Sequence, residues 1–305
     1  MPPVPTNEAS SESRRGLVYG IAAYGLWGVV PLFWKLLADV DPLEVLAHRV
    51  VWGALTFAVI VALADAGGSL KAALADRRTL AVMALSGTLL AINWGTFILA
   101  VSTDRLLDAS LGYFINPLVS VALGTIVLRE GLRRAQWLAI AAAVCGVALL
   151  GWQVGRVPWI SLVLALSFGS YGLVRKTAKV DSLIGSTIES ALLVPVALVY
   201  LAIVATRGIG QVGNTDLLGH VLLVATGVVT AGPLLLFTSA ARRLPLSTIG
   251  FLQYMTPSMQ FVIAVFLFAE PITGAQLVAF GFIWLGLLLF SFDLWRSASR
   301  PIGLD

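Results

Sequence analysis

Residues 108–136 read DASLGYFINPLVSVALGTIVLREGLRRAQ, and residues 248–276 read TIGFLQYMTPSMQFVIAVFLFAEPITGAQ. Offset by 140 positions, Pro117 falls on Pro257, Glu130 on Glu270, Gln136 on Gln276 and Gly146 on Gly286, with no gap between the prolines and the later glycines. A proline inside a long apolar run removes a backbone hydrogen bond. Finding it twice, each time with a glutamate closing the run thirteen residues later, marks an internal repeat. That repeat decides the fold before any single helix is placed.

The match extends outward. Ser86-Gly87 falls on Thr226-Gly227 and Ala100 on Ala240 at the same offset. At an offset of 141, Trp27-Gly28 falls on Phe168-Gly169 and Lys35 on Lys176. The two halves are therefore 16–152 and 157–294.

Composition identifies the solvent. Hydrophobic residues make up 58% of the chain, charged residues 12%, and the mean hydropathy is +0.92. A soluble domain carries about 25% charged residues. Nine tryptophans and twenty-nine glycines fit a polytopic membrane protein, where tryptophan anchors at interfaces and glycine lets helices approach closely. The single cysteine, Cys145, excludes an intramolecular disulfide and any cysteine-based metal site.

Met1–Ser13 is a polar stretch, and residues 1–15 are expected to form a disordered cytoplasmic tail. Apolar runs follow at 16–37, 43–64, 80–101, 108–128, 136–152, 157–176, 183–204, 217–240, 246–268 and 276–294, ahead of a second tail over 295–305. The first run is too long for a cleaved leader and has a counterpart in the second half, so it reads as a retained helix. Most runs reach about 20 residues, the length needed to cross roughly 30 Å of hydrocarbon. The fold class expected is an all-α integral membrane protein with ten transmembrane helices.

Alternating the connections assigns fifteen Lys and Arg, from Arg14 and Arg15 to Arg296 and Arg300, to one side. Lys35, Arg105, Arg156 and Arg207 fall on the other, and Arg49 lies inside the second run. The positive-inside rule then places both termini in the cytoplasm. The net charge of +4 follows from topology, and no nucleic acid is implied. Five helices per half is an odd number, so the second half enters the membrane upside down. Two inverted five-helix repeats around a midplane site are the architecture of secondary transporters.

Ser110–Val119 (SLGYFINPLV), Ala47–Trp52 (AHRVVW), Ala23–Lys35 (AYGLWGVVPLFWK) and Phe251–Pro271 (FLQYMTPSMQFVIAVFLFAEP) resemble the EamA family of the drug/metabolite transporter superfamily, and within it the RarD-type permeases. The likeness covers 16–295, and GYFINP with LQY-x-x-P is specific to that subgroup. It implies a ten-helix transporter of bacterial inner membranes around a central cavity. The subgroup's link to chloramphenicol names a phenotype and leaves the cargo open.

Polar residues inside the runs are the site candidates. An arginine at the bilayer centre costs roughly 2.5–3.5 kcal/mol on insertion scales. Arg49 is either a snorkelling or structurally paired side chain, or an electropositive group at the outer mouth that draws polar or anionic substrates. Glu189 is too short to snorkel. It is either ion-paired with Arg175 or Lys176, or a proton-coupling group, with His48 at the equivalent position of the first half as a second candidate. Trp27, Asn93, Trp94, Tyr113, Asn116, Tyr171, Gln253 and Tyr254 are candidate cavity residues. Pro117 and Pro257 are candidate hinges, because each frees a carbonyl that hydrocarbon does not tolerate. Glu130 and Glu270 read as caps or as gates at opposite mouths, and Trp137 and Trp295 as interface anchors.

No catalytic motif, nucleotide-binding loop or metal-ligand cluster is present, so no cofactor and no enzymatic activity are expected. An intramembrane enzyme or a sensor would not need the inverted repeat. The reading is a secondary active transporter of small organic metabolites or drugs, directed outward and driven by protons or exchange. An uncoupled facilitator or an uptake permease is the alternative. The partners are a small-molecule substrate, the bilayer, protons as coupling ion, and a second copy if the protein is a homodimer.

Overall fold

The computed structural model describes residues 7–103, 105–154, 158–211, 213–267 and 273–298. The elements in them are α1 (Asn7–Lys35), α2 (Pro42–Leu63), α3 (Gly67–Ala75), α4 (Arg77–Ser102), α5 (Leu106–Ile126), α6 (Arg134–Val154), α7 (Trp159–Thr177), α8 (Ser182–Thr206), α9 (Leu217–Arg243), α10 (Leu246–Gln253), α11 (Met255–Phe266) and α12 (Gly274–Ala298). Among the described residues all of these elements are helices, and nine segments are long and apolar enough to cross a membrane. Leu246–Phe266, which joins α10 and α11, counts as one of the nine.

The helix α7 is absent from those nine for a physical reason. Its 19 residues include Ser161, Ser167, Ser170, Arg175 and Lys176, and it packs against α4, α5 and α9. A helix enclosed by protein does not need an apolar shell all round, because its polar groups face other helices.

Two expectations about the ends are corrected. Residues 7–15 are helical and continuous with α1, where a disordered tail was expected over 1–15. The reason is a tether: Glu12 accepts from Arg243 Nε at 2.8 Å and pairs with Arg15 at 3.2 Å. Likewise α12 runs on to Ala298, past the expected start of the second tail. The short helix α3 was not expected at all, because nine residues are too few for a span.

Aspartates start four of the long helices. Asp41 accepts from Leu43 N (2.8 Å), Asp76 from Arg78 N (3.1 Å), Asp181 from Leu183 N (2.8 Å) and Asp216 from Gly219 N (2.8 Å). Each such cap is worth about 1 kcal/mol. The Thr79 hydroxyl and the Arg78 backbone amide hold the exposed Asp76 carboxyl below the usual carboxylate range. Gln136 accepts from Arg133 N at 2.9 Å, and Gln276 from Thr273 N at 3.0 Å.

Small residues set the crossings. A β-carbon on Gly146 of α6 would lie 2.7 Å from the Ala279 carbonyl oxygen of α12, and one on Gly286 would lie 2.8 Å from that of Ala139. The two helices therefore touch reciprocally, each glycine beneath the other helix's alanine. At the α5–α10 crossing, Gly250 sits against the Pro117 carbonyl in the same way. Around these contacts α1 lies against α9 and α11, α2 against α8 and α9, α4 against α7 and α8, and α5 against α7 and α10. The turns α2–α4, α5–α6, α7–α8 and α9–α10 gather at one end, here termed the basic end because it carries most of the Lys and Arg. The opposite end is termed the far end.

Candidate functional site

Arg49 stands seven residues into α2, about 10 Å from its start at the far end. Its Nε donates to Thr230 Oγ1 of α9 at 3.1 Å. Its guanidinium carbon lies 4.8 Å from the ring centroid of Trp34 on α1 and 5.0 Å from that of Trp94 on α4. Tyr113 of α5 lies within electrostatic range, packs at 6.1 Å from Phe97 and is 39% exposed. Five helices thus converge on one half-buried cation. Cation–π contacts contribute about 0.5–2 kcal/mol each as solvent is excluded, and a hydrogen bond from a charged donor about 1.5–3 kcal/mol. Together they offset the insertion cost of an intramembrane arginine. One turn further along α2, Gly53 is buried, yet a β-carbon on it would meet no atom within 4 Å. Free space therefore lies inside the bundle beside Arg49.

Toward the basic end this space meets an aromatic layer. Tyr24 and Trp27 of α1, Phe168 and Tyr171 of α7, and Phe237 of α9 pack with ring centroids 5.1–6.1 Å apart. Tyr171 and Phe237 are stacked and fully buried. Tyr171 and Trp27 are therefore packing residues in this arrangement, with Trp27 half-buried at the edge of the layer.

Behind the rings lies a buried ion pair. Arg175 and Glu189 both have 0% side-chain exposure, with Nη1 3.3 Å from Oε1. Arg175 also directs Nη1 at Met83 Sδ (3.1 Å) and Nη2 to the Ser182 carbonyl (3.0 Å), while Tyr171 donates to Glu189 Oε2 at 3.3 Å. Oε1 has no aligned hydrogen bond, so the attraction between the charges holds it more than directional bonding does. Gly185 makes the room: a β-carbon there would fall 1.9 Å from Nη1.

Most of the remaining candidates are engaged in contacts of their own. His48, on a different face of α2, accepts from Trp52 Nε1 at Nδ1 (3.2 Å) and points Nε2 at Glu44, 3.9 Å away. Glu44 in turn accepts from Gln211 N at 2.7 Å. Asn93 donates to the Leu164 carbonyl (2.9 Å) and to Ser167 (3.1 Å), joining α4 to α7. Gln253 donates to Ser120 at 3.1 Å, and Tyr254 to the Phe114 carbonyl at 3.3 Å, joining α10 to α5. Asn116 is buried, and its Oδ1 has no partner among the described residues.

The two prolines differ. The helix breaks at Tyr254, three residues ahead of Pro257, whereas α5 runs through Pro117 unbroken. Beyond the break, Thr256 and Gln260 donate to the Tyr24 and Trp27 carbonyls, fastening α11 to α1. At the basic end Glu130 accepts from Leu246 N (2.6 Å), Ser247 N (2.9 Å) and Ser247 Oγ (2.8 Å). It thus caps α10 across 116 residues of sequence, next to a contact between Lys176 Nζ and the Leu244 carbonyl. Glu270 and the Trp295 side chain lie outside the described residues; Trp137 is exposed.

Two cavities lie elsewhere. One of about 370 Å³ is apolar and opens between α1, α11 and α12, around Met259 and Trp284. The other, about 280 Å³, lies at the basic end near Tyr19, Ser182 and Arg243. Neither is lined by a residue chosen above as a site candidate. Sequence reasoning missed Trp34, Thr230 and Phe237. Trp34 could have been found, because at the 141-residue offset it falls on Arg175, the cation beside Glu189.

Comparison with known proteins bears on this arrangement. The description "EamA-like transporter family" matches residues 14–152. An uncharacterized transporter of Pseudomonas aeruginosa is 45% identical over 292 residues, 96% of this chain and 98% of that protein. Protein RarD of Escherichia coli is 42% identical over 284 residues, 93% of this chain and 96% of that protein. A crystal structure at 18% identity superposes with a TM-score of 0.67 over 95% of this chain and 99% of that one, which speaks for the fold alone. The chain belongs to the EamA-like transporter family, among the RarD-type proteins.

Proposed function

We propose that this chain is a secondary active transporter that moves small organic metabolites or drugs, chloramphenicol-like compounds among them, outward across a bacterial inner membrane by alternating access. Ten spans in two inverted five-helix repeats, 16–152 and 157–294, would carry the motion, with both termini and the basic end cytoplasmic. One observation carries the reading: the two ends of the bundle differ. Toward the far end Arg49 is partly exposed beside the free space at Gly53 and the exposed Tyr113, while aromatic rings and a fully buried ion pair fill the basic-end half. Access from one side with closure at the other is one half of such a cycle.

The repeat is supported by features that recur at the 140-residue offset: the Asp41 and Asp181 caps, the Asp76 and Asp216 caps, the Gln136 and Gln276 bonds, and the reciprocal glycines of α6 and α12. Packing supports it too. Exchanging each span for its counterpart turns α5 with α7 into α1 with α10 and α11. The same exchange turns α1 with α9 into α4 with α7, and α2 with α9 into α4 with α8; all of these contacts exist. Here α7 serves as the tenth span. Proton coupling is assigned to Glu189, whose protonation would release Arg175, with His48 as the other candidate.

The test is flux in proteoliposomes loaded with a pooled metabolite and antibiotic library, with and without an inward proton gradient. Gradient-dependent movement of one compound is the expected result. Movement indifferent to the gradient would leave a facilitator, and a reporter at the C-terminus reading external would overturn the span count.

A further inference from the structure

We infer that the substrate binds through a carboxylate, or an equally planar anionic group, held by Arg49 between the faces of Trp34 and Trp94, with its apolar body in the space beside Gly53. The inference rests on the transporter reading and narrows its substrate class to anionic compounds, which leaves out uncharged chloramphenicol-like ones.

Two guanidinium groups stand toward the two ends of one bundle. Arg175 on α7 has its charge matched within the protein, because Glu189 on α8 supplies the carboxylate. At the 141-residue offset the counterparts of these two positions are Trp34 and His48. In the first half the guanidinium comes instead from α2, as Arg49, stacked on Trp34. No carboxylate accompanies it: His48 is turned toward Glu44 and Trp52. The contacts of Arg49 are one hydroxyl and the two indole faces, and among the described residues no carboxylate lies within 4 Å of it.

Stacking leaves the guanidinium edge uncovered. A planar fork of N–H groups with only Nε engaged matches a carboxylate with two parallel hydrogen bonds, which lysine cannot imitate. The flanking indoles and Tyr113 offer apolar faces to a body attached to that carboxylate. The empty space at Gly53, one turn deeper, gives the body somewhere to go. A cationic substrate would be repelled by the uncompensated charge.

The experiment uses the full chain in lipid nanodiscs and calorimetric titration with benzoate, phenylacetate and hexanoate against their amides, which match them in shape but carry no charge. At least one carboxylate is expected to bind about ten- to hundredfold more tightly than its amide. Arg49→Gln should erase that preference and Arg49→Lys should keep part of it. Gly53→Leu, which fills the space one turn along α2 from Arg49, should weaken the bulkier carboxylates more than the smallest one. Equal binding of acids and amides, binding of none of the panel, or an Arg49→Gln protein that retains the preference would overturn the inference.

The two readings fail separately. A carboxylate that binds in an Arg49-dependent way but never crosses proteoliposome membranes removes the transport reading and leaves the site. Flux of a neutral or cationic compound unaffected by Arg49→Gln removes the site and leaves transport.

Discussion

Removing either partner of the Arg175–Glu189 pair should be costly, and removing both should not. Each side chain has 0% exposure, so Glu189→Met leaves a bare guanidinium, and Arg175→Met a bare carboxylate, away from water. Breaking a buried pair from one side costs about 3–5 kcal/mol. At roughly 2 °C per kcal/mol for a chain of this size, each single variant should lose about 6–10 °C in Tm. Replacing both by apolar residues of similar volume is neutral or stabilising in comparable cases. Here the double variant also forfeits the Tyr171 and Ser182 hydrogen bonds, at about 1 kcal/mol each. It should therefore sit within about 2 kcal/mol of wild type, a departure from additivity of at least about 4 kcal/mol. Thermal unfolding in nanodiscs followed by tryptophan fluorescence measures all four corners of the cycle. A double variant as unstable as the sum of the singles would refute the ion-pair reasoning. Flux adds a second readout. Glu189→Gln is expected to abolish gradient-driven transport and spare counterflow exchange; if a partner change at Arg175 restores both stability and gradient-driven flux, Glu189 holds the structure and does not carry the proton.

Gly185→Ala should displace the Arg175 guanidinium, since the new β-carbon would fall 1.9 Å from Nη1. The expected loss is about 1–3 kcal/mol, and it should vanish in an Arg175→Met background, which the same unfolding assay tests. Glu130→Ala removes the acceptor of two α10 backbone amides and should cost about 0.5–2 kcal/mol, with Glu130→Gln recovering part. Pro257→Ala should slow turnover more than it weakens substrate binding, and Pro117→Ala should do so less, because only the Pro257 helix is broken. Equal and unaltered turnover in both proline variants would remove the hinge assignment.

Much of the fold was legible because hydrocarbon-length apolar runs report the nine membrane-length helices directly, and the run at 157–176 is also a helix, α7, though its serines and basic end keep it out of the nine. The break at Tyr254 was half legible. Pro257 announced a kink, but an equivalent proline at 117 left α5 continuous, and tertiary contacts decide between the two outcomes. The site was harder to read, because hydropathy says that a residue is in the membrane and not which neighbour it faces. Asn93 and Tyr254 carry the same polar groups as cavity residues would, yet they tie helices together. Glu189 was recognised as costly, and Arg175 was named as its possible partner. Their distance in the fold depends on a four-residue turn and on the reach of an arginine pointing into the bundle from its basic end. Trp34 was hidden among aromatics whose usual role is packing, although its place opposite Arg175 at the 141-residue offset singles it out.

On the proposed cycle the two arginines make opposite demands. Opening the basic end would wet Arg175 and Glu189, and water lowers the cost of parting them because it solvates each charge. Closing the far end would instead bury Arg49, whose described surroundings contain a hydroxyl and two indoles but no anion. An unpaired buried charge carries a penalty of several kcal/mol, whereas a guanidinium already paired with a carboxylate enters the closed state with much of that penalty removed. Closure is then favoured when the chamber is occupied and resisted when it is empty. An occupied chamber could thus cross between states that an empty one does not easily reach, and exchange would follow from electrostatics without any separate gate. Substrate recognition and the coupling of binding to motion would reside in the same side chain, Arg49.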